Sequence, residues 1–174
     1  MRVQTPGGGR TGDCRRILCP TDFSSLATAG VDHAASLAAR EGAELVLLHV
    51  LAPVTAYVVP DVAGSVLVQF EEQAREDARH QLRRLRDRIR GTGVSTHTVL
   101  AQGYAPDQIV RAAQRLRCDL IVLATHGRTG LTRMLLGSVA EALIRRAPCP
   151  VLALRPPQPP RAHEHGLGRL KAAA

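Results

Sequence analysis

Aromatic residues are scarce in this chain of 174 residues, which contains two Phe, two Tyr and no Trp. Proteins that bind single-stranded nucleic acids stack bases on aromatic side chains, and this sequence has few to offer. No apolar run approaches the roughly 18 residues of a membrane span. The first 14 residues lack the apolar segment of a secretory signal. We therefore expect a cytoplasmic protein with neither a membrane anchor nor a nucleic-acid ligand.

Lysine is also nearly absent. Lys171 is the one Lys among 23 cationic residues, and the formal net charge is +8. A bias toward Arg this uniform looks like coding preference, so the basic composition says little about partners. Seven Arg lie in a predicted helix over residues 66–90, which suggests either a nucleic-acid surface or a solvated face. Glu71–Arg75 and Arg83–Asp87, each four residues apart, favour the solvated face.

The four cysteines are Cys14, Cys19, Cys118 and Cys149, and no CxxC pair occurs. Their spacing excludes the usual zinc motifs and a disulfide scaffold. Cys19 and Cys118 lie in or beside apolar runs, where a thiol behaves as a small hydrophobic side chain. A reactive thiol remains an alternative for Cys14 or Cys149.

Five apolar runs have the length of β-strands. Four are nearly continuous in Leu, Val and Ile, as in a parallel sheet covered on both faces, and the third alternates like an edge strand. The five runs are residues 16–20, 44–51, 96–101, 119–125 and 150–154. With helical segments between them, they predict a single α/β domain over residues 15–155 with a parallel sheet. Residues 1–14 and 156–174 are predicted to be flexible tails, the second rich in Pro.

Capping residues and apolar periodicity set the predicted helices. The first is capped by Ser24 or Ser25 and stops at Gly42; the third starts at Pro106, and the fourth follows Ser138. The helix over 66–90 has an apolar stripe at steps of three and four residues, which predicts a buried face. That stripe consists of Phe70, Ala74, Ala78, Leu82, Leu85 and Ile89.

Two loops follow predicted strands, at the edge where parallel α/β sheets bind ligands. One is Pro20-Thr21-Asp22-Phe23-Ser24, and the other runs from Ala124 to Ser138. Gly127, Gly130 and Gly137 in the second loop permit positive φ and close backbone approach to an anion, and a helix N-terminus follows them. Ser138 and Glu141 also form a capping-box pattern, so Ser138 has a purely structural alternative. Asp22 has the same alternative, as a cap for the first helix.

These segments resemble the universal stress protein family. The similarity rests on PTDFS after strand one, LLHV at the end of strand two and ATHGRTGLTRMLLGSVAEALIRRAPCPVLAL at the C-terminal end, and it covers about residues 15–155. The resemblance implies a five-stranded parallel sheet in the order 3-2-1-4-5. Many members bind ATP through a G-x2-G-x9-G-[S/T] pattern. Here that pattern falls on Ala124, Gly127, Gly137 and Ser138, with alanine in place of the first glycine.

The resemblance also implies where each part of ATP would bind. Thr21 and Asp22, after Pro20, would border adenine and ribose, with Asp22 accepting a ribose hydroxyl, and Val50 would line the adenine slot. The backbone from Ala124 would pass beneath the sugar and first phosphate, and the start of the fourth helix would hold the distal phosphates. The implied nucleotide-binding residues are Pro20, Thr21, Asp22, Val50, Ala124, His126, Gly127, Arg128, Gly130, Gly137, Ser138, Val139 and Ala140, the last standing where the family often has a hydroxyl.

The sequence offers no nucleophile–His pair, no paired carboxylates and no P-loop Lys near the predicted site, so we expect a regulatory protein with at most slow ATP hydrolysis. Mg²⁺ would arrive with the nucleotide. The resemblance further implies a homodimer through strand 150–154 and an unidentified protein partner. The alternative is an interaction protein of the same fold that binds no nucleotide.

Overall fold

The computed structural model describes residues 14–53, 64–125 and 137–154. Strands and helices alternate along the chain, as predicted. In order, the elements are β1 (Arg16–Pro20), α1 (Ser25–Glu41), β2 (Glu44–Leu51), α2 (Gly64–Arg90), β3 (Thr96–Gln102), α3 (Ala105–Arg115), β4 (Leu120–Ala124), α4 (Ser138–Arg146) and β5 (Val151–Leu154). Apart from Cys14, the predicted tails lie outside the described residues, as does residue 155.

All five strands are parallel and form one sheet in the order β3-β2-β1-β4-β5. This confirms the fold and strand order expected from the sequence, including the edge position of β3. The central strand β1 pairs with β2 on one side and β4 on the other. The chain adds β2 and β3 on one side of β1 and then crosses to add β4 and β5 on the other, so the strand order reverses between β1 and β4. Parallel sheets of this kind bind ligands at the point of reversal.

Helices cover both faces of the sheet, and one apolar cluster lies between the sheet and the helices on each face. Ile17 and Leu47 pack with Val31 of α1 and Leu82 of α2 on one face. Leu18, Leu48 and Ile121 pack with residues of α3 and α4 on the other. Adjacent residues of β1 thus enter opposite cores, which explains why the strands are apolar throughout instead of alternating.

Both predicted ends of α1 are confirmed. The Ser24 side chain accepts a hydrogen bond of 3.1 Å from the Ala27 amide, which satisfies one of the unpaired donors at the helix start. Gly42 ends the helix in the left-handed conformation (φ 65°), and its N–H donates to the Ala38 carbonyl.

The predicted apolar stripe of α2 is correct for its C-terminal half and wrong for its N-terminal half. Ala78, Leu82 and Ile89 are buried, but Ala74 is exposed and Phe70 is 67% exposed. A helix of 27 residues is about 40 Å long, whereas the seven residues of β3 extend about 23 Å. The helix therefore extends beyond the strands that cover its other half.

The four cysteines are unpaired thiols. Burial raises the pKa of Cys19 to about 12 and that of Cys118 to about 11, so both are neutral at physiological pH. Burial also raises the pKa of Cys14 and of Cys149 above the usual value of 9.0. A thiol whose pKa is raised on folding favours the folded state below its unfolded pKa, and this contribution is lost as pH rises through the folded value.

We expect Cys19 and Cys118 to resist alkylation by iodoacetamide at pH 8 in the folded protein, because the thiolate is the reactive form. Peptide mass spectrometry should find both alkylated only after unfolding in guanidinium chloride. Cys14 and Cys149, which are half-buried, should be modified before them. Equal rates for Cys19 and Cys14 in the folded protein would contradict the burial of Cys19.

Candidate functional site

A cleft lies at the carboxyl ends of β1, β2 and β4, at the point where the strand order reverses. Its volume is about 310 Å³, within the range of small-molecule sites. The described residues that line it come from both loops singled out in the sequence, from the ends of β1, β2 and β4, and from α1, α3 and α4. They are Pro20, Thr21, Asp22, Ser24, Leu26, Ala27, Leu48, His49, Val50, Ala105, Ile109, Leu123, Ala124, Thr125, Gly137, Ser138, Val139 and Ala140.

The structure thus brings together nine of the thirteen predicted site residues: Pro20, Thr21, Asp22, Val50, Ala124, Gly137, Ser138, Val139 and Ala140. The other four, His126, Gly127, Arg128 and Gly130, lie outside the described residues. His49, Ile109 and Ala105 also line the cleft, although no sequence motif marks them as site residues. His49 and Val50 are neighbours at the end of β2, so the end of that strand was the available signal for His49.

The loop after β1 is held by hydrogen bonds to its own backbone and to β2. Thr21 is 7% exposed; its N–H donates to the Leu48 carbonyl at 2.9 Å, and its hydroxyl accepts from the Phe23 amide at 3.1 Å. Asp22 Oδ1 accepts from the Ser24 amide at 3.0 Å. Ser24 is the N-cap of α1, so the alternative role of Asp22 as that cap is wrong. Asp22 is exposed at the rim of the cleft.

His49 fixes the same loop from β2. Its Nδ1 lies 2.8 Å from the Thr21 carbonyl oxygen, which can only accept, so Nδ1 carries the hydrogen. The imidazole stacks on the ring of Phe23, with centroids 4.3 Å apart. Phe23 has a positive φ of 64°, a conformation that costs free energy in a residue with a Cβ. The stacking and the bonds around Thr21 stabilise this turn.

Apolar side chains from four elements line one part of the cleft. Leu48 and Val50 come from β2, Leu123 from β4, and Ile109 from α3. Leu48 is fully buried and Ile109 is 2% exposed, whereas Val50 is half-buried. This surface can accept a flat apolar group such as an aromatic heterocycle.

The N-terminus of α4 opens onto the cleft. Gly137 is its N-cap, with φ −57° and ψ 149°, and the helix begins at Ser138. The capping box predicted for Ser138 and Glu141 is therefore wrong, because Ser138 is already in the helix, and no side-chain cap bond forms. Gly137 also does not use a positive φ. The first backbone N–H groups of a helix have no acceptor within the helix, and together with the helix dipole they attract anions.

Ala124, at the end of β4, lies against α1 where that helix has a glycine. A Cβ placed on Gly30 would be 3.0 Å from the Ala124 Cβ and 3.1 Å from its backbone nitrogen. A methyl group on residue 30 would therefore press on both the side chain and the backbone of Ala124, so helix or strand would have to shift. Gly30 therefore accommodates the alanine at 124.

Ionisable side chains are few among the residues of the cleft that the structure describes. Asp22 is the one carboxylate among the described lining residues, and His49 is the one imidazole. The described residues contain no cluster of three or more His, Cys, Asp or Glu side chains able to hold a metal ion. None of the helices in the described part of the chain is long and apolar enough to cross a membrane.

The sequence model of the universal stress protein family matches residues 14–155. The chain belongs to this family. A universal stress protein of Methanocaldococcus jannaschii is 35% identical over 144 residues, which is 83% of this chain and 84% of the relative. The solved structure of the universal stress protein UspA from Lactobacillus plantarum has 28% identity and a TM-score of 0.69, covering 82% of this chain and 98% of its own.

Two more distant structures with this fold contain adenine nucleotides. One universal stress protein is in complex with cAMP, at 23% identity and a TM-score of 0.62, covering 81% of this chain and 97% of its own. A family protein from Arabidopsis thaliana has AMP bound, at 17% identity and a TM-score of 0.57, covering 81% of this chain and 91% of its own. At these identities the likeness extends to the fold alone.

The contact between Gly30 and Ala124 can be tested by a double-mutant cycle in urea unfolding. We expect Gly30→Ala to lower the free energy of unfolding by about 1 kcal/mol, because overpacking outweighs the higher helix propensity of alanine. Ala124→Gly in the same chain should recover part of that loss, with a coupling of about 0.5–3 kcal/mol. Gly91→Ala is the control, since a Cβ there meets no atom within 4 Å. Additive effects of the two substitutions would contradict the contact.

Proposed function

We propose that this protein binds ATP, with Mg²⁺, in the cleft at the carboxyl ends of β1, β2 and β4, and that it acts as a nucleotide-dependent regulatory protein of the stress response. The observation that carries the proposal is one cleft that joins an apolar surface, a rim carboxylate and a helix N-terminus. These features match the three chemically different parts of a nucleotide.

The adenine ring fits the apolar part of the cleft, against Val50 and Ile109. Asp22 at the rim can accept a hydrogen bond from a ribose hydroxyl, while its other contact orders the loop. The backbone N–H groups at Ser138 and Val139 suit the phosphates, and the exposed Ser138 side chain adds a hydroxyl donor. That related folds contain cAMP and AMP supports the adenine nucleotide class.

The lining residues favour binding over catalysis. Asp22 is the one described carboxylate at the cleft, so a second acidic group to activate water is not among those residues. We therefore propose at most slow hydrolysis, with Mg²⁺ held mainly by the phosphates of the nucleotide. The fraction of protein with nucleotide bound would follow the nucleotide concentration, and the loops that contact the nucleotide would pass this state to a protein partner.

We also propose a homodimer through β5. This strand is at an edge of the sheet, and Leu152 on it is 40% exposed. An unpaired edge strand has backbone donors and acceptors for a second copy. The four residues of β5 limit that pairing to a short ladder.

The phosphate position can be tested at Gly137 by calorimetric titration with MgATP. Gly137 has an ordinary φ of −57°, and a Cβ there meets no atom within 4 Å, so substitutions should leave the fold intact. We expect micromolar binding by the unmodified protein. Gly137→Glu should weaken binding about tenfold or more relative to Gly137→Gln, because the two side chains are similar in size and only Glu repels the phosphates.

Circular dichroism should confirm that both variants fold like the unmodified protein. Equal affinities for the Gln and Glu variants would contradict the placement of phosphates at α4. If the unmodified protein bound no MgATP, the alternative would gain support: an interaction protein of the same fold without a nucleotide. Ala124 and Ala140, in place of the glycine and hydroxyl that the family pattern carries, favour that alternative.

A further inference from the structure

A second groove lies away from the nucleotide cleft, between the edge strand β3 and α3. It has a volume of about 700 Å³ and is lined by residues 99–102 of β3 and by Gln108, Arg111, Ala112, Gln114 and Arg115 of α3. None of these residues lines the cleft. The groove thus combines an outermost strand with one side of a helix.

The backbone of β3 has hydrogen-bonding groups directed away from the sheet. Gly103 N–H donates to the Leu51 carbonyl, and the Ser95 carbonyl accepts from Leu45 N–H, both at 2.8 Å. The N–H and C=O of one residue in a parallel strand point to the same side, so odd-numbered residues of β3 face β2. The even-numbered residues, among them Leu100 and Gln102, therefore direct their backbone groups away from β2, toward an edge that no other described strand covers.

The helical side of the groove is cationic. Arg111 and Arg115 are exposed and lie four residues apart, on the same face of α3. The other groove residues are neutral, and no acidic side chain in the described part of the chain lies within ion-pair distance of either Arg. The two guanidinium groups, exposed beside the edge of β3, have no carboxylate partner in the described part of the chain and are available to carboxylates of another molecule.

The spacing of the two Arg matches an extended peptide. Four residues of an α-helix rise about 6 Å, and side chains on one face of a β-strand repeat every two residues, about 6.7 Å. Acidic residues at positions i and i+2 of an added strand would therefore meet Arg111 and Arg115 together. A nucleic acid would use the charges and leave the backbone edge unpaired, and no aromatic side chain lines the groove for stacking bases.

We propose that the groove between β3 and α3 is a docking site for an extended acidic segment of a partner protein, which adds a strand to β3 and places alternate carboxylates on Arg111 and Arg115. Main-chain hydrogen bonds supply part of the affinity in this mode of recognition, and the side chains supply specificity. The site is independent of the proposed nucleotide cleft.

The test is fluorescence anisotropy of a fluorescein-labelled peptide, GSVEVEVSG, with the full chain at low salt. We expect saturable binding that weakens about tenfold or more in the Arg111→Glu/Arg115→Glu variant, where attraction becomes repulsion. The matched control is Arg83→Glu/Arg84→Glu on α2, which changes the net charge equally at exposed positions. It should keep the affinity within about twofold.

Four further measurements test the roles of charge and of strand addition, the class of ligand and the independence from the nucleotide cleft. The neutral peptide GSVQVQVSG and a GSVEVEVSG peptide with alternate N-methylated amides should each bind at least about tenfold more weakly. Twelve-residue oligothymidylate should not compete. Saturating MgATP should leave peptide binding unchanged.

Several results would overturn the proposal. They are no binding of GSVEVEVSG up to millimolar protein, an equal loss in both charge-reversal variants, equal binding of the N-methylated peptide, and equal binding of the neutral peptide. Oligothymidylate that bound as tightly, with the same dependence on Arg111 and Arg115, would instead indicate a nucleic-acid site. Failure of the MgATP titration at Gly137 would leave this proposal intact, because the two surfaces share no lining residue.

Discussion

The covering of the sheet on both faces is the constraint on which the rest of this structure depends. Parallel strands bury both surfaces, so Ile17 and Leu18 of β1 enter opposite cores and neither face is left for polar chemistry. Ligand-binding groups are therefore confined to the ends and edges of the sheet. At the carboxyl end, β1 and β4 send their loops to opposite faces, which opens the cleft between them.

A cleft between loops is useful only if the loops are held in place. Here β2 holds the loop after β1, through Leu48 to the Thr21 amide and through His49 to the Thr21 carbonyl. The stacked rings of His49 and Phe23 stabilise the residue with positive φ. The position of Asp22 at the rim thus depends on the contacts that its neighbours Thr21 and Phe23 make with β2.

The sequence predicted those features that depend on local pattern. Four continuous apolar runs and one alternating run located the strands, Ser24 and Gly42 defined α1, and the family resemblance supplied the strand order. Six of the nine predicted residues that line the cleft fall in the two loops identified by their position after strands, and the resemblance supplied Val50, Val139 and Ala140. Features that depend on geometry between elements were missed. His49 lines the cleft because β2 ends beside β1, and Gly30 is required because α1 crosses β4 closely.

Two of the wrong predictions have the same origin. Ser138 and Glu141 fit a capping box by spacing, but the backbone enters α4 one residue earlier, so Gly137 takes the cap position. Phe70 continues the periodic stripe of α2, but periodicity says nothing about where the neighbouring sheet ends. A repeating pattern identifies a face of a helix, and only the length of the facing strands decides how much of that face is buried.

Helix α3 connects the two proposed sites, because Ile109 lines the cleft while Arg111 and Arg115 line the groove. A shared helix couples the affinities of two sites only if it has two positions and each ligand binds one position more tightly than the other. Gly103 precedes α3 with φ 136°, and a Cβ there would lie 2.8 Å from Gln108 Nε2, so the helix packs closely on the end of β3. Ile109 is almost fully buried on the same helix. These contacts oppose a shift of α3, which is why we expect the two sites to bind their ligands independently.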